Sequence, residues 1–241
     1  MRYALLSASA AAVLLGTVSA RAADLPAPPP VATAPWSFSV FGGASWLEPV
    51  NGSLDFTDAN ETRYDIDSKL NFDTGFIVGG TFGYALVDWA RTELEISYTG
   101  YDVSDAKFYP PEGIDVVDPN DASVGALSIF GNMWLGFNML PVIGDPVNQL
   151  SSSLGGLSPY FGGGLGVAFV DANGDGTGYD LNASTTAFTW QVGAGVRWTF
   201  ASNIGLDVGY RFRGINDVSF NDNGSANLYS NNVIVGLTFN F

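Results

Sequence analysis

Eight stretches of this chain alternate apolar residues with polar or small ones. In the last, Val233, Val235, Leu237, Phe239 and Phe241 alternate with Asn232, Ile234, Gly236, Thr238 and Asn240. A period of two places successive side chains on opposite faces of a strand, so one face is wholly apolar. The same period runs through Trp36–Trp46 (Phe38, Val40, Ala44, Trp46) and Phe72–Tyr84 (Phe72, Phe76, Val78, Phe82, Tyr84). It continues in Trp89–Tyr98 (Ala90, Leu94, Ile96, Tyr98), Val124–Phe137 (Leu127, Ile129, Met133, Leu135, Phe137) and Pro159–Phe169 (Phe161, Leu165, Val167, Phe169). Phe188–Phe200 (Phe188, Trp190, Val192, Ala194, Val196, Trp198, Phe200) and Ile204–Phe212 (Ile204, Leu206, Val208, Tyr210, Phe212) complete the set. A spanning strand needs about 9–11 residues when tilted. An apolar strand at a chain end exposes a sticky edge in water, but suits lipid when another strand closes it. The expectation is an all-β fold, an eight-stranded antiparallel transmembrane β-barrel of the outer-membrane type, since such barrels use even strand numbers.

The connections are unequal. Those after the first, third, fifth and seventh segments are long and polar, whereas Ala85–Asp88 and Ala201–Asn203 are short. Long extracellular loops and mostly short periplasmic turns have this asymmetry. Asn138–Ser158 is the exception, a long connection on the short side. At the other end of the chain, Arg2, an apolar run from Ala4 to Val18, and Ala20-Arg21-Ala22 compose a secretory signal with cleavage between Ala22 and Ala23. The run is too short for a membrane helix. Residues 23–35 are proline-rich and read as a periplasmic tether, leaving 36–241 as the barrel.

The face opposite the apolar one carries charge. Arg91, Glu93 and Glu95 share one side of the third segment; Gln191 and Arg197 join from the sixth, Asp207, Arg211 and Arg213 from the seventh, and Asp73 from the second. Charges cost several kcal/mol in lipid, so these eight ionic residues are expected to face inward and pair as a plug. Gly162, Gly164, Gly166, Gly193, Gly195, Gly205 and Gly209 lie on the same face and make room for long side chains. Eight strands enclose little more than side chains. Trp36, Trp46, Tyr84, Tyr98, Trp134, Trp198 and Tyr210 lie near strand ends and read as girdle residues at the membrane interfaces.

Composition narrows the chemistry. The chain has no cysteine and no histidine, which removes disulfides, most catalytic triads and the commonest metal ligand. A net charge of -15 argues against nucleic acid as a partner. No catalytic residues and no cofactor are expected; Glu93 and Glu95 read as salt-bridged rather than as an acid/base pair. Asp171, Asn173, Asp175 and Asp180 open like a calcium loop, but position twelve is Asn182 instead of glutamate. A solvated surface loop is the favoured reading, with weak calcium binding the alternative. By count, 17 of the 24 acidic residues lie in the four long connections between Glu48 and Asp222. They keep loops soluble and extended; recruitment of divalent cations at the lipopolysaccharide surface is the alternative.

Several motifs carry a family resemblance: Ala23-Asp24-Leu25-Pro26, Arg91 with Glu93-Leu94-Glu95, Pro159-Tyr160-Phe161-Gly162-Gly163-Gly164-Leu165-Gly166, Gly193-Ala194-Gly195-Val196-Arg197, Gly209-Tyr210-Arg211-Phe212-Arg213, and the final strand. In order and spacing they resemble the small eight-stranded outer-membrane barrels, most of all the α-proteobacterial major surface proteins of the OmpA-like and opacity-protein superfamily. The resemblance implies that Val233, Val235, Leu237, Phe239 and Phe241 form the signal read by the barrel-assembly machinery. It also implies surface exposure, contact with outer-membrane lipid and lipopolysaccharide, and envelope support. It does not imply one shared ligand. It further implies that the peptidoglycan-binding domain of longer relatives is absent. The expected function is thus a structural surface barrel; the alternatives are a porin-like channel for small solutes and an adhesin acting on a host or surface ligand through acidic loops.

Overall fold

A computed structural model describes residues 35–57, 63–109, 122–137, 156–173, 175–176, 179–180, 183–201, 203–219 and 225–241. The expected signal peptide with its expected Ala22–Ala23 cleavage site, all but the last residue of the expected tether, and most of the 138–158 connection lie outside them. Twelve strands are present among the described residues: β1 (Trp36–Leu47), β2 (Val50–Thr57), β3 (Arg63–Phe72), β4 (Gly75–Val87), β5 (Ala90–Tyr109), β6 (Ser123–Gly136), β7 (Leu157–Asn173), β8 (Asp175–Gly176), β9 (Tyr179–Asp180), β10 (Ala183–Thr199), β11 (Ile204–Ser219) and β12 (Ser225–Asn240).

Eight of these close into an antiparallel barrel. The ring runs β1, β4, β5, β6, β7, β10, β11, β12 and back to β1. Closure pairs Ser37 with Asn240 through Leu47 with Ser230, so no edge is left in this ring. The Trp36 carbonyl accepts from Phe241 N–H at 2.9 Å. One end of the barrel, here the turn end, carries the tight β4–β5 connection at Asp88 and Trp89. The strands run well past bilayer thickness toward the opposite, loop end: β5 has 20 residues.

The first long connection is not an irregular loop. β2 pairs with β3 in register from Val50–Leu70 to Thr57–Arg63, and β3 pairs with the far part of β5. Phe72 accordingly belongs to β3, not to the following barrel strand, and packs against the apolar cluster at the loop end. The chain breaks strand pairing at Asp73 and Thr74 before β4 begins.

Burial is inverted relative to a water-soluble protein. Leu165 (64 % exposed), Leu94, Phe76, Ile96, Val192 and Val235 lie on the outer face. Buried positions include Glu95, Gln191, Asn232, Thr189 and Thr238. Lipid accepts the first set, and the second finds partners only inside. On β1, Trp36 and Trp46 are both exposed aromatics ten residues apart. At roughly 3.3 Å per residue and a tilt near 40°, that spacing spans about 25 Å, the height of an outer-membrane apolar band. Near the turn end Trp36 stacks on Phe82 at 5.1 Å and meets Tyr84 at 4.7 Å. Trp134 departs from the girdle expectation. It is 1 % exposed and points into the bore.

Candidate functional site

The interior is layered along the barrel axis. At the loop end Leu47, Tyr101, Ala126, Ala168, Val170, Ala187, Val218 and Leu228 form an apolar cluster. Below it lies a charged layer built on Glu95. This residue is fully buried, and its carboxylate accepts from Asn132 Nδ2 at 2.9 Å and Gln191 Nε2 at 3.0 Å. Arg211 donates to the same oxygen as these two, and Arg213 to the other. β5 and β11 stand four places apart in the ring of eight, so this salt bridge crosses the full bore. Arg213 also donates to Ser97 Oγ at 2.9 Å and lies 4.9 Å from the centre of the Phe130 ring. Arg211 sits over Phe41 and Trp134 at 4.9 and 5.2 Å.

A second charged layer lies toward the turn end. Glu93 accepts from Arg91 Nε at 2.8 Å and from Trp134 Nε1 at 2.9 Å, and Arg197 stands 3.6 Å away. Asp207 takes Arg197 Nε at 3.0 Å on one oxygen and the Tyr160 hydroxyl at 2.5 Å on the other. Arg91 stacks on Tyr160 at 4.4 Å. Between β1 and β12, Ser45 donates to Asn232 Oδ1 at 2.6 Å and lies 2.5 Å from the Tyr101 hydroxyl of β5.

Glycine makes these crossings fit. Gly164 sits between Asn132 and Gln191 in register, on β7. With no side chain there, Gln191 reaches across the strand to Asn132 Oδ1 at 2.7 Å. A Cβ on Gly164 would run into that same oxygen. Gly195 and Gly209 clear the path of Tyr160 toward Asp207: Cβ atoms there would stand 2.5 and 3.0 Å from its hydroxyl.

Seven of the eight expected ionic residues therefore meet in the bore. Asp73 does not. It is exposed at the break between β3 and β4, with its backbone N–H bonded to Asp102 O at 2.9 Å. The break resets the alternation, so the parity that holds from Gly75 onward does not extend back to Asp73. The consequence is electrostatic. Among the described residues the interior holds Arg91, Arg197, Arg211 and Arg213 against Glu93, Glu95 and Asp207, a surplus of one positive charge. Arg211 Nε and Arg213 Nε are buried with no hydrogen-bond partner.

Sequence reasoning missed Trp134, Tyr160 and Asn132 as members of this network. Parity held the signal, since Trp134 and Asn132 share the even positions of β6 with Ser128, whereas Met133 and Leu127 face out. Of the calcium-loop candidates, Asp171 and Asn173 are exposed, and Asp175 is the backbone register partner of Asp180 in the β8–β9 ribbon. Among the described residues no group of three or more His, Cys, Asp or Glu is placed to hold a metal ion. The final-strand residues Val233, Val235, Leu237, Phe239 and Phe241 all face outward.

A closed ring of lipid-facing strands around a polar, ionically bonded interior defines an integral outer-membrane barrel. Residues 8–241 match the family described as outer membrane protein beta-barrel domain, and the chain belongs to that family. It is a multi-pass outer-membrane protein of a Gram-negative bacterium. An uncharacterized protein of Brucella melitensis is 27 % identical, over 84 % of this chain and 78 % of its own length. Among solved structures, OprG from Pseudomonas aeruginosa is similar at 17 % identity and a TM-score of 0.47, covering 86 % of this chain and 97 % of its own. Neisserial surface protein A is similar at 18 % identity and a TM-score of 0.44, covering 85 % and 97 %.

Proposed function

We propose that this protein is a structural surface barrel that supports the envelope and whose bore is closed by its own side chains. The observation that carries this reading is the Glu95 cluster. One carboxylate of zero exposure draws donors from β6, β10 and β11 onto β5, and so ties half the staves of the barrel together across its centre. A conducting pore needs a continuous file of water, and the layer is filled by bonded side chains instead. The apolar cluster above it adds a second closure at the loop end. The outer apolar band takes lipid, and the acidic connections keep the outward-facing end soluble beside lipopolysaccharide.

Single-channel recording on folded protein in planar bilayers tests this. The same sample is run on a gel with and without boiling, so that only folded, heat-modifiable barrel is counted. The expected trace is flat, with at most rare brief openings. A steady, large conductance from unmodified folded protein would overturn the closed reading in favour of a small-solute channel.

A further inference from the structure

We infer that the turn-end cavity of the bore is a binding site for one small monovalent anion of halide size. The cavity is lined by Ser39, Thr81, Arg91, Arg211 and Thr238, with Glu93, Arg197, Asp207 and three apolar or glycine positions completing it. Its volume is about 10 Å³, enough for one water-sized body. That size excludes sulfate, phosphate and organic anions.

Three observations converge on an anion. First, the interior carries one more guanidinium than carboxylates, and the imbalance sits at Glu95, which alone faces both Arg211 and Arg213. A buried charge without a counter-charge is strongly unfavourable. Second, the unused polar capacity of the lining includes two donors. Arg211 Nε and Thr81 Oγ1 are buried without partners, in side chains that are 5 % and 4 % exposed as residues. Third, the carboxylates of the lining are already engaged. Glu93 receives Arg91 and Trp134, and Asp207 receives Arg197 and Tyr160. A cation there would have to compete with the guanidinium groups already paired to these carboxylates, in a lining of three arginines against two acids. Water would satisfy the donors but leave the charge. A halide satisfies both. Arg91 and Arg197, with side chains 18 % and 15 % exposed, give the cavity a route to solvent at the turn end.

The inference rests on the closed interior, so its test reads stability and not conductance. Folded barrel in detergent is heated in sodium bromide or in sodium gluconate at equal ionic strength, and the midpoint is read from loss of the heat-modifiable form. The midpoint is expected to rise with bromide and to saturate, while gluconate, too large to enter, leaves it unchanged. Crystals soaked in bromide are expected to show an anomalous peak between Thr81 and Arg211. Thr81→Asp, a near-isosteric change, supplies a built-in counter-charge. It is expected to fold with a midpoint at or above the parent's and to lose the bromide response, whereas Thr81→Asn keeps the response. Equal midpoints in bromide and gluconate for the unmodified protein would overturn the inference, as would a bromide response that survives in folded Thr81→Asp. The first of these outcomes corresponds to a cavity that holds water only.

Discussion

Glu95→Gln is the most informative single change in this barrel. Glutamine has nearly the volume of glutamate, so no cavity is created and the loss is purely polar. The carboxylate accepts from Arg211, Arg213, Asn132 and Gln191, and no solvent reaches it. The amide replaces one acceptor oxygen with a donor that faces other donors. Two guanidinium groups then share no counter-charge. Removing one partner of a buried pair costs about 3–5 kcal/mol, and the two arginines place this site toward the upper part of that range. Total stabilities are of the order of 5–15 kcal/mol, so a third or more is at stake. With a urea slope of about 2–3 kcal/mol per molar, the unfolding midpoint should fall by about 1.3–2.5 M in lipid vesicles, read by tryptophan emission and gel mobility. Glu48→Gln, at an exposed position, serves as the control and should stay within about 0.5 kcal/mol. Replacing Glu95, Arg211 and Arg213 together by methionine should be far milder than the single change, because no orphaned charge remains. A Glu95→Gln loss below about 1 kcal/mol would refute the reasoning and mean that water reaches the cluster.

Other outcomes follow from the same geometry. Acyl-brominated lipids should quench Trp36, Trp46 and Trp198 but spare Trp134, as single-tryptophan variants can show; Trp134→Phe should also cost about 1–3 kcal/mol by leaving Glu93 without its 2.9 Å indole donor. Gly164→Ala should destabilise by about 1–3 kcal/mol, because its methyl displaces Asn132 from Gln191. Gly131→Ala, whose Cβ meets nothing within 4 Å, should be near neutral in the same urea assay. Leu165→Arg, at the middle of β7 on the lipid face, should cost about 2–4 kcal/mol in vesicles, and a neutral result would place that face out of the bilayer.

Much of this architecture is legible in residue parity alone. Odd positions of β5 carry Glu93 and Glu95 and even ones Leu94 and Ile96, so the inward face needs no further clue. Parity fails where the strand itself is interrupted. Asp73 looks inward when counted from Phe76, but the break at Asp73 and Thr74 cancels the count. Residue type also misleads when it is allowed to outrank parity. Trp134 has the chemistry of an interface anchor and the position of an interior residue, and position decides. β2 and β3 obey the same rule, with Val50, Leu54 and Phe56 on one parity of β2 and Tyr64, Ile66, Leu70 and Phe72 on one parity of β3. The charged and amide residues between them disguise it as part of a long polar connection, and the hairpin shows in the backbone pairing of these strands with each other and of β3 with β5. Nor can spacing show that Glu95 meets Arg211 and Arg213. That contact follows from β5 and β11 standing opposite one another once the ring closes.

The ionic interior does more for the register of this barrel than for its net stability. A buried ion pair roughly offsets its own desolvation, so an apolar filling would hold the staves about as well. What an apolar filling lacks is a penalty for error. Shifting β5 by one residue against its neighbours turns Arg91, Glu93 and Glu95 toward lipid and brings Leu94 and Ile96 inward. At the depth of the bilayer centre a basic residue costs about 2–4 kcal/mol, acidic ones less, and the abandoned partners Arg211 and Arg213 remain buried without a counter-charge. The summed penalty is comparable to the whole stability of an ordinary domain. β1 and β12 carry no inward charge; their buried polar residues are Ser37, Ser39, Ser45, Ser230, Asn232 and Thr238. Their register is instead set by specific hydrogen bonds, Ser39 to Thr238 at 2.8 Å and Ser45 to Asn232 at 2.6 Å. The closing seam is therefore held by hydroxyl and amide groups rather than by charge. Charges on β5, β10 and β11 fix those strands first in energetic terms, and the hydroxyl-lined seam adjusts to them.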